Sequence, residues 1–115
     1  MEQQESTRQQ KISSLIRRDI SDIFLKEARD LVQGAMVSVT IVRVSPDLSF
    51  AKIYLSVFPY AKADEIVNRL TENVWLIRRA LGQRVRNQLR IVPELDFRLD
   101  DSLEYIENID NLLKK

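Results

Sequence analysis

The sequence contains no cysteine and no histidine. Without cysteine there can be no disulfide and no thiolate metal site, and a reducing, cytoplasmic setting is compatible with that lack. Without histidine the usual general base and the commonest transition-metal ligand are both missing. Carboxylates and lysines can still do acid–base work, so catalysis survives only in its less common forms. Glycine is nearly absent too: Gly34 and Gly82 are the only two, which excludes any glycine-rich phosphate loop. The longest charge-free run, Leu31 to Val42, falls far short of the roughly 20 apolar residues of a membrane-spanning helix. The first residues, Met1-Glu2-Gln3-Gln4-Glu5, lack the basic end and apolar run of a secretory signal.

What is present is an ordinary globular composition. With 115 residues, 44% of them apolar and 30% charged, the chain suits one domain with one core. Its net charge is only +1, but the charges are segregated. Residues 78–90 hold five arginines and no acid, whereas Glu94 to Asp110 hold seven acids and one base, Arg98. A small net charge of this kind is compatible with one basic face.

Periodicity supplies the elements. Ile12, Ile16, Ile20 and Ile23, flanked by Leu15 and Phe24, predict an amphipathic helix from about Arg8 to Ala28, with Lys11 and Arg18 on its outer side. Met36 to Val44 and Phe50 to Phe58 alternate with a high density of β-branched residues, and Ser45-Pro46-Asp47-Leu48-Ser49 between them is a turn, so an antiparallel hairpin is expected. A third strand begins at Ile91-Val92-Pro93. Asp101 or Ser102 is placed to cap a short terminal helix carrying Leu103, Ile106, Ile109, Leu112 and Leu113. Residues 1–7 and 114–115 are expected to be mobile ends of a single domain spanning 1–115.

Between the hairpin and the third strand, Val67, Leu70, Val74, Ile77, Leu81 and Val85 recur at helical spacing behind Asp64 as a cap. Gly82 falls inside this pattern, and an interior glycine usually marks a kink, a C-cap or a close backbone approach. A broken helix is therefore expected, with Arg79, Gln83, Arg86 and Arg90 on the face opposite the apolar stripe. Trp75 sits on the shoulder of the stripe, where packing against the first helix is expected over base stacking. On these residues alone, a nucleic-acid surface and a plain solvated face both remain open. The strand–helix–strand connection must cross right-handed, which lays the third strand parallel to the second and puts the helices on one sheet face.

Ser45-Pro46-Asp47-Leu48-Ser49-Phe50-Ala51-Lys52-Ile53-Tyr54-Leu55-Ser56-Val57 resembles the hairpin signature of the bacterial ribosome-binding factor A family. Val92-Pro93-Glu94-Leu95-Asp96-Phe97 followed by Leu99-Asp100-Asp101-Ser102-Leu103 resembles that family's third strand and its exit. Ile16-Arg17-Arg18 and Ile77-Arg78-Arg79 also fit, and Ala80-Leu81-Gly82 is similar to its helix–kink–helix element, which stands where a type II KH domain has a GxxG loop. The resemblance runs from about Arg8 to Leu113. It implies an α+β, type II KH-like domain in the order α-β-β-α(kink)α-β plus a short C-terminal helix, with the helices on one face of a three-stranded mixed sheet.

The same resemblance implies function. The expectation is a cytoplasmic, monomeric, non-enzymatic factor without cofactor, metal, membrane or small-molecule substrate. It would bind the free immature small (30S) ribosomal subunit at its 16S rRNA, near the neck and decoding region, and assist late rRNA processing, especially in the cold. Arg78, Arg79, Arg84, Arg86 and Arg90 become phosphate contacts, with Lys11 and Arg18 beside them, and Ala80 and Gly82 form the kink. Two other classes are weighed. One is a Mg²⁺-dependent nuclease built on Glu94, Asp96, Asp100 and Asp101, although strand alternation and capping account for those acids. The other is a module whose open sheet face, Val39, Ile41 and Tyr54, meets a ribosomal protein.

Overall fold

The computed structural model describes residues 6–100. Its first helix, α1 (Thr7–Lys26), starts on a reciprocal cap. The Ser6 hydroxyl accepts the Gln9 N–H at 3.1 Å while the Gln9 side-chain oxygen accepts the Ser6 N–H at 2.8 Å, so two otherwise orphaned donors are satisfied. Ser6 is thus the N-cap and Thr7 the first residue of α1. The inner stripe of Ile12, Ile16, Ile20, Ile23 and Phe24 is buried, and each such side chain contributes about 1.5–3 kcal/mol through burial.

A short 3₁₀ turn (Arg29–Val32) and Gly34, at φ +84°, reverse the chain into β1 (Met36–Val44). β1 pairs antiparallel with β2 (Phe50–Phe58), and β2 pairs parallel with β3 (Glu94–Leu99), in sheet order β1-β2-β3. The hairpin turn is held by Asp47, whose carboxylate accepts from the Ser45 and Ser49 hydroxyls at 2.8 and 2.7 Å and from the Ser49 N–H at 3.1 Å. These bonds, the Ser49 hydroxyl's first, hold the Asp47 carboxyl below its ordinary pKa. Leu48 has a left-handed φ of 64°, an unusual conformation for a leucine. It is retained because its side chain is buried in the core.

Ala51, Ile53, Leu55 and Val57 form the core face of β2, as alternation requires. In β1 the alternation slips. The register shifts between Val39 and Ile41, so Val39 and Val42, three residues apart, are both buried. Thr40 is the extra residue of this bulge, and its hydroxyl donates to the Asp100 carboxylate at 2.7 Å. The expected open-face trio is therefore broken up: Val39 faces the core, leaving Ile41 exposed and Tyr54 half-buried.

The second helical segment opens through a 3₁₀ turn (Tyr60–Lys62) into α2 (Ala63–Glu72), with Asp64 and Glu65 inside the first turn. Asp64 is therefore not the cap; the two acids instead complement the positive helix end. The break expected at Ala80–Gly82 lies at Asn73. α3 (Val74–Val85) is continuous through Ala80 and Gly82, and Gly82 has no positive φ. At Asn73, φ −115° and ψ 25° leave the helical region. Its N–H bonds the Arg69 and Leu70 carbonyls at 3.1 and 3.2 Å, and its side-chain amide donates to the Arg69 carbonyl at 2.8 Å. One residue thus closes α2 before α3 starts. Ile66, outside the predicted stripe, is fully buried while Val67 is only half-buried.

All three helices pack on one face of the mixed sheet, α1 against β1 and α3, and α2 against β2 and β3. This is the KH-like α+β arrangement. β3 starts at Glu94, not at Ile91, because Pro93 has no N–H for the ladder. The expected terminal helix over 101–113, and residues 1–5, 114 and 115, lie outside the described residues.

Candidate nucleic-acid interface

The structure separates the arginines of 78–90 into two kinds. Arg78 is half-buried and faces inward. Its Nε donates to the Pro93 carbonyl at 3.0 Å and its Nη2 to the Val92 carbonyl at 2.8 Å. These two oxygens precede β3, so Arg78 fastens the strand's start to α3. Arg84 is tied as firmly. Its Nη1 donates to Asp22 at 2.7 Å and its Nη2 to Glu27 at 3.0 Å, with the side chain only 24% exposed. This fork joins α3 to the last turns of α1. The bond from Arg84 holds the Asp22 carboxyl below its ordinary pKa, with Lys26 adding to it, and Asp22 in turn raises Arg84. Both of these guanidinium groups from the expected row of phosphate contacts are engaged within the fold.

Arg79, Arg86 and Arg90 are exposed. None of the three side chains makes a hydrogen bond or ion pair among the described residues. They do not form one helical row, because α3 ends at Val85, residues 86–88 are a turn and Arg90 lies beyond it. Arg86 still has helical dihedrals, φ −60° and ψ −22°, so it continues the α3 phase while Arg90 does not. At 100° per residue, Arg79 and Arg86 lie within roughly 20° of each other and about 160° from the buried Ile77.

Lys11 and Arg18 belong to another surface. They line, with Leu15 of α1 and Gln88 of the turn after α3, an open groove of about 810 Å³. Arg18 is largely solvated and lies 3.6 Å from the buried Asp19. Neither Arg79 nor Arg86 lines this groove. The expected cations therefore split into an outer α3 face and an α1 groove.

Trp75 is the residue that periodicity misjudged. It does not pack against α1 but stands 61% exposed. The signal was on the helical wheel, where Trp75 falls about 160° from Ile77 and about 40° from Arg79. Of the acids weighed as an ion site, Asp96 pairs with Arg98 at 2.8 Å and Asp100 accepts from Thr40, while Asp101 lies outside the described residues. Among the described residues no three potential ligands cluster, and no helix is long and apolar enough to cross a membrane.

The sequence model of the ribosome-binding factor A family matches residues 8–113. The chain belongs to the ribosome-binding factor A family. A family member from Cytophaga hutchinsonii is 44% identical over 111 residues, covering 96% of this chain and 84% of its own. A member from Flavobacterium johnsoniae is 50% identical over 110 residues, covering 95% and 85%. The crystal structure of ribosome-binding factor A from Thermus thermophilus superposes with a TM-score of 0.65 at 22% identity, over 79% of this chain and 94% of that one. A Thermotoga maritima protein solved by NMR gives a TM-score of 0.64 at 18% identity, over 84% and 91%. These two likenesses establish the shared KH-like fold.

Proposed function

We propose that this chain binds the free, immature small ribosomal subunit through its 16S rRNA, near the neck and decoding region, and assists late maturation and rRNA processing, including growth in the cold. It does so as a cytoplasmic, monomeric single-domain protein that supplies binding, not catalysis. Membership of the ribosome-binding factor A family supports the ribosomal partner. The observation that carries the RNA reading is the state of Arg79 and Arg86: exposed, with side chains unpaired among the described residues, and in phase on one face of a helix without a single acid. Guanidinium groups kept free of internal partners are available to phosphate oxygens, whereas Arg78 and Arg84 are committed within the fold. Arg90 extends this surface, and Lys11 and Arg18 form a second basic contact at the α1 groove.

Co-sedimentation compares immature small subunits, mature small subunits and intact ribosomes under one salt condition. The expected result is strongest retention on immature subunits and loss on intact ribosomes. Equal retention on all three, or retention on none, contradicts the maturation role.

A further inference from the structure

We propose that the outer face of α3 is a track for single-stranded RNA in which Trp75 stacks an unpaired base while Arg79 and Arg86 hold the flanking phosphates. This rests on the RNA-binding function proposed above and adds the chemical class of the ligand at that face. Trp75 is the chain's only tryptophan and is 61% exposed, although a large aromatic ring gains most by burial. No ring or cation contact to it is found among the described residues. Its indole therefore presents an apolar surface to solvent.

Three features direct that surface toward nucleic acid. Trp75 is the second residue of α3, immediately after the break at Asn73, so no preceding helical turn of the same phase lies over it. Arg79 is one turn further on, about 6 Å along the axis, and Arg86 about 10 Å beyond that, all within roughly 40° of one another. Between them lies Gly82, where a Val92 methyl sits 3.1 Å from the position a Cβ would take. An aromatic ring in line with unpaired guanidinium groups, on a helix free of acids, matches a base and its phosphodiester backbone. A duplex would satisfy the arginines but would offer no free base to the ring. A protein partner would use the ring but leave the arginines without a defined role.

The test uses the full chain and two probes, a short single-stranded oligoribonucleotide and an abasic backbone of the same length. Because Trp75 is the sole tryptophan, its fluorescence reports stacking directly. The base-bearing probe is expected to quench it, and the abasic probe to bind without quenching. Trp75→Ala is expected to weaken binding of the base-bearing probe about five- to hundredfold, with Trp75→Phe recovering part. The slope of log affinity against log salt should stay unchanged in both variants, since no phosphate contact is lost. Thermal unfolding of each variant serves as the control for fold. Salt-dependent binding that ignores the bases overturns the stacking role and leaves the arginine surface standing. Absence of binding to either probe overturns both. Quenching by ribosomal protein freed of rRNA, but not by RNA, assigns the face to a protein partner and overturns the track.

Discussion

Replacing Arg78 with alanine removes both hydrogen bonds that fasten the start of β3 to α3. The two acceptors are unequal: the residue bearing one of them, Pro93, is fully buried, while Val92 is half-buried. A hydrogen bond from a charged donor contributes about 1.5–3 kcal/mol, and an acceptor left unpaired in the interior keeps its desolvation cost. Water can reach the Val92 oxygen and recover part of one bond, so the expected loss is about 2–3 kcal/mol. For a domain of this size each kcal/mol corresponds to about 4–8 °C, which places the fall in Tm at roughly 10–20 °C. Arg78→Lys should lose about half as much, because an ammonium on a flexible stem can serve one carbonyl but not both in the same geometry. Urea unfolding followed by circular dichroism measures the change, and the m-value should stay constant. At a temperature where the variant is folded, its affinity for small-subunit rRNA should keep the wild-type salt slope. A loss below about 0.5 kcal/mol, combined with a flattened slope, would refute the reasoning and return Arg78 to the phosphate surface.

Two other outcomes follow from the glycines and from the Arg84 fork. Gly82→Ala gains about 1 kcal/mol of helix propensity but brings a Cβ to 3.1 Å from a Val92 methyl, on a segment that Arg78 prevents from retreating, so stability should change by less than about 0.5 kcal/mol. Gly34→Ala, at φ +84°, should cost about 1–2 kcal/mol; a larger cost at Gly82 than at Gly34 in urea titrations would contradict the continuous α3. Asp22 has a pKa lowered first by its bond from Arg84. Its contribution is therefore complete above the ordinary carboxylate value of about 3.9 and is lost as pH falls through the lower folded value. The Tm gap between wild type and Asp22→Asn should be widest near neutral pH and close below about pH 4, whereas a gap of constant width would show that the fork carries no charge-dependent stability.

The hairpin was legible because alternation of β-branched residues is a local property, and both strand ranges were read as they stand. The parallel β2–β3 pairing was equally accessible, since the handedness of the crossover constrains it. The bulge was not. Val39-Thr40-Ile41-Val42 is apolar on both phases, so a period of two cannot show where a residue has been inserted. The helix break was misplaced for a related reason: a glycine permits a bend but does not require one, whereas Asn73 ends α2 by capping the Arg69 carbonyl. The arginines could not be sorted from sequence at all. Arg84 finds Asp22 and Glu27 at separations of 62 and 57 residues, and Arg78 bonds backbone oxygens that only the tertiary fold brings near. Trp75 could have been placed from the helical wheel, had its angle to Ile77 been weighed above the general tendency of tryptophan to be buried.

The central claim is that Arg79 of α3 and Arg86 at its C-cap contact rRNA, and the most direct measurement is the salt dependence of binding by Arg79→Ala/Arg86→Ala. Both side chains are exposed and unpaired among the described residues, so the double variant should unfold at nearly the wild-type temperature. Affinity for immature small subunits is then titrated across a range of salt, with Arg29→Ala, in the 3₁₀ turn after α1, as the control. Each lost phosphate contact flattens the slope of log affinity against log salt by roughly 0.7–0.9, so the pair should flatten it by about 1.5 and weaken binding most at low salt. A folded double variant that keeps both its affinity and its slope would show that this face of α3 is merely solvated.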